Sequence, residues 1–233
     1  MIERQCLYHY PICPLCRKIR FLLYENGVKN CAFKIENFWE HRDKFCRINP
    51  TGKVPFLAIQ QEEDGEKKSL LIWGKNSIVN YLRQKYPVET LLYGSIENQA
   101  NILKYDEWFE TQFYDDVSYP IINERVYTFY KKKREINLEV LKMARFNLKQ
   151  HMNFIEKMLQ NRDWIVGDKF SLADLSCACQ LSSLDYLGEI NWADYPMIKN
   201  WYQIIKSKPS FREFLYDTIP DFKPSVWYRE LDF

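Results

Sequence analysis

Apolar positions in the first third of the chain fall into short runs of two kinds. "CLYHY" (Cys6–Tyr10) and "CAFKIENF" (31–38) read as strands. Between them Leu15, Ile19, Leu22 and Leu23 recur at helical spacing from Pro14 onward, and Gly27 stops the run. "EHRDKFCRIN" reads as a short helix. "VPFLAIQ" and "SLLIW" flank the polar "QEEDGEKK", which predicts a β-hairpin with Gly65 in its turn. "NSIVNYLRQKY" closes this part as a helix. The order β-α-β-α-β-β-α is a thioredoxin-like α/β layout, with the hairpin as the antiparallel edge of the sheet. "PVETLLYGS", with Pro87 and Gly94, reads as a linker.

From Glu97 the pattern turns helical throughout. The run from "ENQANIL" to "NERVY" predicts one long helix kinked at Pro120, and "LEVLKMARFNLKQHMNFIEKMLQ" a second. A third helix starts within "KFSLADL". There Ser171 can accept from the amide three residues on, Asp174 can reach back, and Phe170 and Leu175 flank them as a hydrophobic staple. "YPMIKNWYQIIKSKP" and "SFREFLYDT" give two short helices. "IPDFKPSVWYRELDF" has two prolines and no helical period, so it reads as an extended tail. The expected organisation is a thioredoxin-like domain over 1–86, a linker over 87–95, an all-helical domain over 96–217 and a tail over 218–233.

Composition narrows the class. With 46% hydrophobic and 16% aromatic residues the 233-residue chain can bury a sizeable core, which excludes global disorder. Basic and acidic residues number 33 and 31, so no net field draws the whole protein to nucleic acid or an anionic membrane. Seven cysteines with one C-x-x-C pair, no apolar leader run and no uninterrupted apolar stretch of about 20 residues predict a cytoplasmic protein without a membrane span.

The C-x-x-C pair is Cys13-Pro14-Leu15-Cys16. Cys13 sits at the start of the first helix, where backbone N–H groups and the helix dipole favour an anion, and Arg17, Lys18 and Arg20 follow it. That placement lowers a thiol's pKa and makes Cys13 a candidate nucleophile with Cys16 as resolving thiol. The alternative is that both pack as small apolar residues. His9 beside them gives a weak metal-site pattern, because the CxxC lacks a second CxxC. "YKKKREI" reads as a solvated turn before it reads as a nucleic-acid patch. Trp39 has three readings: a pocket wall, an interface anchor, or core, the last being the plainest.

"NPTGKVPFL", "SIVNYL" and "FSLADL", in this order, resemble the cytosolic glutathione transferase superfamily over nearly the whole chain. "YHYPICPLCRKIRF", "FWEHRDKFCRINPTG", "LSSLDYLGEINWADYP" and the terminal "LDF" are similar to the alphaproteobacterial transferase-like subfamily that includes an FtsZ-associated division protein. The resemblance implies a thioredoxin-like domain followed by an all-α domain and a homodimer. It also implies a cis bond at Val54-Pro55 facing the cysteinyl part of glutathione. The subfamily's role implies FtsZ as partner. The superfamily's Glu/Gln-Ser clamp for the γ-glutamyl group is replaced here by Gly74 and Lys75, with Asn76 next to them. Glutathione is therefore expected to bind weakly or not at all, through Trp39, Val54, Pro55, Lys75 and Asn76 if it binds. Trp227, Tyr228, Arg229, Glu230, Asp232 and Phe233 form a tail rich in interface-type residues; it is expected to face a partner, the alternative being that it folds back on its own helices.

Overall fold

The computed structural model describes residues 2–63, 66–86, 91–131 and 135–232. The hairpin turn at Gly65, the linker residues 87–90, the basic triplet 132–134 and Phe233 lie outside the described residues. The chain forms two compact units, 1–88 and 89–233.

The first unit is a four-stranded sheet of order β2-β1-β3-β4. Strand β1 (Ile2–His9) pairs parallel with β2 (Cys31–Ile35) and antiparallel with β3 (Phe56–Glu63), and β3 pairs antiparallel with β4 (Glu66–Trp73). Helices α1 (Pro14–Glu25), α2 (Asp43–Ile48) and α3 (Lys75–Lys85) complete it. Leu7, Leu57 and Ile59 of the sheet are wholly buried, as are Ile19 and Leu23 of α1 and Ile78 of α3. Each such side chain contributes about 1.5–3 kcal/mol. β1 begins four residues before the expected "CLYHY", because its partner β3 runs on to Glu63 and supplies ladder positions back to Ile2. The outer strand β4 leaves Leu70, Leu71 and Trp73 exposed.

The second unit is helical. Helix α4 spans 96–131 without a break, α-wound over Ile96–Trp108 and π-wound over Phe109–Ser118 and Asn123–Tyr127. The sequence predicts a kink at Pro120; Pro120 lies in a short α-wound stretch, Tyr119–Ile122, between the two π-wound ones. Pro120 has no N–H for the carbonyl of Asp116, and that oxygen accepts instead from Asn147 Nδ2 at 3.2 Å. Asn147 lies on α5 (Leu138–Leu159), which is capped by the Asn137 side chain accepting from Glu139 N and Val140 N.

Helix α6 (Leu172–Tyr186) is buried along its whole length. Its start is organised by Asp174. Oδ2 accepts from Ser171 N at 3.0 Å and Ser171 Oγ at 2.8 Å, and Oδ1 accepts from Ile165 N at 2.9 Å and Trp201 Nε1 at 3.0 Å. Phe170 and Leu175 are both buried beside this box. α7 (Pro196–Lys206) and the single turn α8 (Pro209–Arg212) follow.

Beyond α8 the expected extended tail is instead a series of turns laid on the unit's own helices. The Tyr186 hydroxyl donates to Phe222 O at 2.8 Å and accepts from Ile219 N at 3.1 Å. Ser225 N donates to Tyr186 O at 2.9 Å, and Tyr130 OH donates to Pro220 O. Two prolines deny the segment a helix, and these fixed partners take up its backbone groups in place of a ladder.

Candidate functional site

Three segments converge at one end of the sheet. Tyr8 pairs with Phe56 and Phe56 with Trp73, so the turn after β1, the loop before β3 and the start of α3 lie side by side. They carry Cys13, Val54-Pro55 and Gly74-Lys75-Asn76.

Cys13 is the N-cap of α1, with φ −71° and ψ 115° and Pro14 in the first turn. Arg17, buried within α1, donates from Nε to Pro11 O at 2.9 Å and so fixes the turn leading into Cys13. Both cysteines are buried. A hydrogen bond from the Cys16 thiol lowers the Cys13 pKa; burial opposes this, and the amides of Cys16 and Leu15 with Arg17 add to the lowering. Burial pushes Cys16 well up, and the hydrogen bond to Cys13 and its charge push the same way. The pair is thus divided into a thiolate-prone sulfur and a proton-holding one. Lys18 and Arg20 are buried as well, so the charge expected around Cys13 comes from Arg17 rather than from an exposed basic face.

His9 is buried, and burial with the nearby Arg20 charge pushes it down to about 3, so it is neutral. No cluster of three metal-ligating side chains occurs among the described residues, His9, Cys13 and Cys16 included. Trp39 is buried, edge-on to Tyr10 at 4.8 Å, and Tyr10 O accepts from Cys13 N at 3.0 Å. It sits among the core residues that support the Cys13 turn.

The Val54–Pro55 bond is cis. The loop before it is built on buried Asn49, whose Nδ2 donates to Lys53 O at 2.7 Å and whose Oδ1 accepts from Thr51 Oγ1 at 2.7 Å. Asn49 escaped the sequence reading, although "NPTG" is a turn signal built for such a side chain. Gly74 caps α3 at φ +85°, ψ 127°, a conformation that suits glycine, and a Cβ there meets only Ser77 Oγ at 4.0 Å. No side chain caps α3; Lys75 is half-buried and Asn76 exposed.

The tail residues belong to the second unit. Tyr228 is wholly buried, its hydroxyl donating to Phe214 O at 2.7 Å and its ring edge-on to Tyr186 at 5.0 Å. Expected to face a partner, it is spent on holding the strap that the turns from Ile219 to Tyr228 form across the helices, because the turns before it point its ring inward. Trp227 is 54% and Val226 78% exposed, and Arg229, Glu230 and Asp232 are exposed. The Trp227 carbonyl accepts from Lys206 Nζ at 2.8 Å. Lys206 is itself buried 3.6 Å from Asp185, and burial pushes its pKa down to about 8. This lysine went unnoticed in the sequence, though it stands at helical spacing with Ile198, Tyr202 and Ile205 on the apolar face of α7.

Such a sheet, with a cysteine capping α1, a cis-proline loop and a helical second unit, defines a transferase fold. The glutathione S-transferase N-terminal domain matches residues 7–90 and its C-terminal domain residues 115–217; the chain belongs to the glutathione S-transferase family. Within that family it is similar end to end to FtsZ-localized protein A of Caulobacter vibrioides, at 30% identity over 233 residues and 100% of both chains. The solved structure of FzlA from C. crescentus superposes with a TM-score of 0.90 at 29% identity, covering 99% of this chain and 100% of that one. A glutathione S-transferase from Rhodospirillum rubrum F11 superposes at 0.87 with 32% identity, covering 98% and 100%. Among the described residues no helix is long and apolar enough to cross a membrane.

Proposed function

We propose that this protein is a cytoplasmic, homodimeric transferase-fold protein that binds FtsZ filaments and regulates cell division, with little or no glutathione transfer. The observation that carries the reading is the end-to-end likeness to FtsZ-localized protein A, tail included. Two local features support it. Gly74 offers no side chain to a glutamyl ammonium, and Lys75 is a long cation where a compact hydroxyl belongs. The strap displays Val226 and Trp227 outward with Arg229 and Glu230 beside them, a rigid aromatic anchor with a charged rim. Co-sedimentation with FtsZ polymers tests this. The protein is expected in the pellet, and Trp227→Ala is expected to weaken pelleting about tenfold or more. Absence of the wild-type protein from the pellet sinks the reading.

A second reading, a glutathione-dependent transferase or thiol oxidoreductase using Cys13 with Cys16, is favoured by the opposed shifts of the two thiols. It stands apart from the first in requiring a small thiol ligand.

A further inference from the structure

A groove of about 600 Å³ runs between α5 and the loop that follows α6. Leu148, Met152, Leu187 and Ile190 form its apolar lining, and its rim carries Arg125, Arg145 and Lys149 against Glu189 and Asp194. The Glu189 side chain is only 4% exposed and holds both guanidiniums. Arg125 Nη1 reaches Oε1 at 2.5 Å, and Arg145 donates from Nε at 2.8 Å and from Nη2 at 3.0 Å. One buried carboxylate therefore fixes two cations at the groove edge and neutralises one of them. Lys142, Arg145 and Lys149 follow one another at three- and four-residue spacing on α5, all exposed. Lys142 and Lys149 enter none of the ion pairs among the described residues. In a chain whose charges almost cancel, this is a local excess of positive charge.

The groove is continuous with the strap. Gly188 lines it, and a Cβ on Gly188 lies 3.6 Å from the Ser225 side chain. The exposed Val226 and Trp227 come next along the chain.

We propose that this groove seats an acidic, extended peptide segment of the partner that engages the strap. Its carboxylates meet Arg145 and Lys149 at the rim and, beyond the groove lining, Lys142 one turn further along α5, and an apolar side chain rests on Leu148 and Leu187. The apolar lining favours a peptide over a nucleic-acid backbone, which offers phosphates at regular spacing and no aliphatic anchor. The identity of the partner rests on the FtsZ reading; the chemistry of the groove does not.

The experiment compares the full chain with the double variant Lys142→Glu/Lys149→Glu, whose changes are on the surface. The probe is a fluorescein-labelled peptide of alternating glutamate and leucine, read by anisotropy. The wild type is expected to bind it, the variant at least about tenfold more weakly, and added salt to weaken the wild type. No binding by the wild type, equal binding by both proteins, or equally tight binding of single-stranded RNA overturns the proposal. FtsZ co-sedimentation with the same two proteins separates the readings. Loss from the pellet in the variant alone supports the groove as part of that contact. Equal pelleting overturns its assignment to FtsZ, and absence of even the wild type removes FtsZ as the partner while the peptide result still decides the groove.

Discussion

Cys13 and Cys16 illustrate how two identical side chains are made unequal by three backbone steps. The Cys16 thiol donates to Cys13, so removing that donor must raise the Cys13 pKa, whereas a serine at 16 retains an O–H to donate. Thiolate absorbance titrated against pH, with Cys13→Ser as the blank, should show Cys13 moving up in Cys16→Ala and staying close to wild type in Cys16→Ser. Glu189 is the second residue whose surroundings dictate its proton. Burial pushes its carboxyl up, yet hydrogen bonds from Arg145 and Arg125 outweigh burial and hold it below its ordinary 4.5. A folded pKa below the unfolded one means stabilisation present above pH 4.5 and lost as pH falls through the folded value. Glu189→Gln should therefore cost about 2 kcal/mol at pH 7 by denaturant titration, and the gap from wild type should narrow on acidification below 4.5.

At the scale of elements, α6 depends on its first turn. Asp174→Ala removes the acceptor of four hydrogen bonds and leaves the Ser171 and Ile165 amides and the Trp201 indole unanswered in a buried place. The loss should be roughly 3 kcal/mol. A calorimetric midpoint lower by roughly 6–12 °C would express it. This box was legible because both partners and the staple lie within six residues, 170–175. The alternation of strand and helix in the first unit was legible for the same reason: Leu15, Ile19 and Leu22 state their period locally. The winding of α4 was not. What relieves Pro120 is Asn147, a partner on another helix 31 residues from Asp116. Nor was the strap, since Tyr228, Tyr186 and Phe214 have no common period, and a polar backbone satisfied by Tyr186 OH leaves no pattern in the residues that receive it. Of the candidate site, the Cys13 cap and the place of Gly74 followed from the chain order. The depth at which Arg17, Lys18 and Arg20 lie did not, because charge patterning assumes solvent wherever it finds lysine and arginine.

For the molecule as a whole, the decisive contrast is between a ligand site and a binding surface. If Gly74 and Lys75 have ended glutathione recognition, calorimetric titration of reduced glutathione into the purified protein should show no binding at millimolar concentration. Heat that saturates in the micromolar range and changes in Cys13→Ser would restore the thiol reading and give Lys75 the part of a substitute clamp. The two units divide these questions cleanly, since the cysteine, cis-proline and Gly74 segments all belong to the first, and the strap and the groove both belong to the second.

The strap also constrains the order of assembly. Tyr186, Phe214 and Lys206 are made before the residues that cover them, so a nascent helical unit carries open aromatic and cationic sockets until Ile219–Tyr228 has cleared the ribosome. Its helices can form during synthesis, but its surface closes only once Ile219–Tyr228 has followed them out. A released chain truncated after Tyr216 would present that uncovered surface to chaperones and proteases.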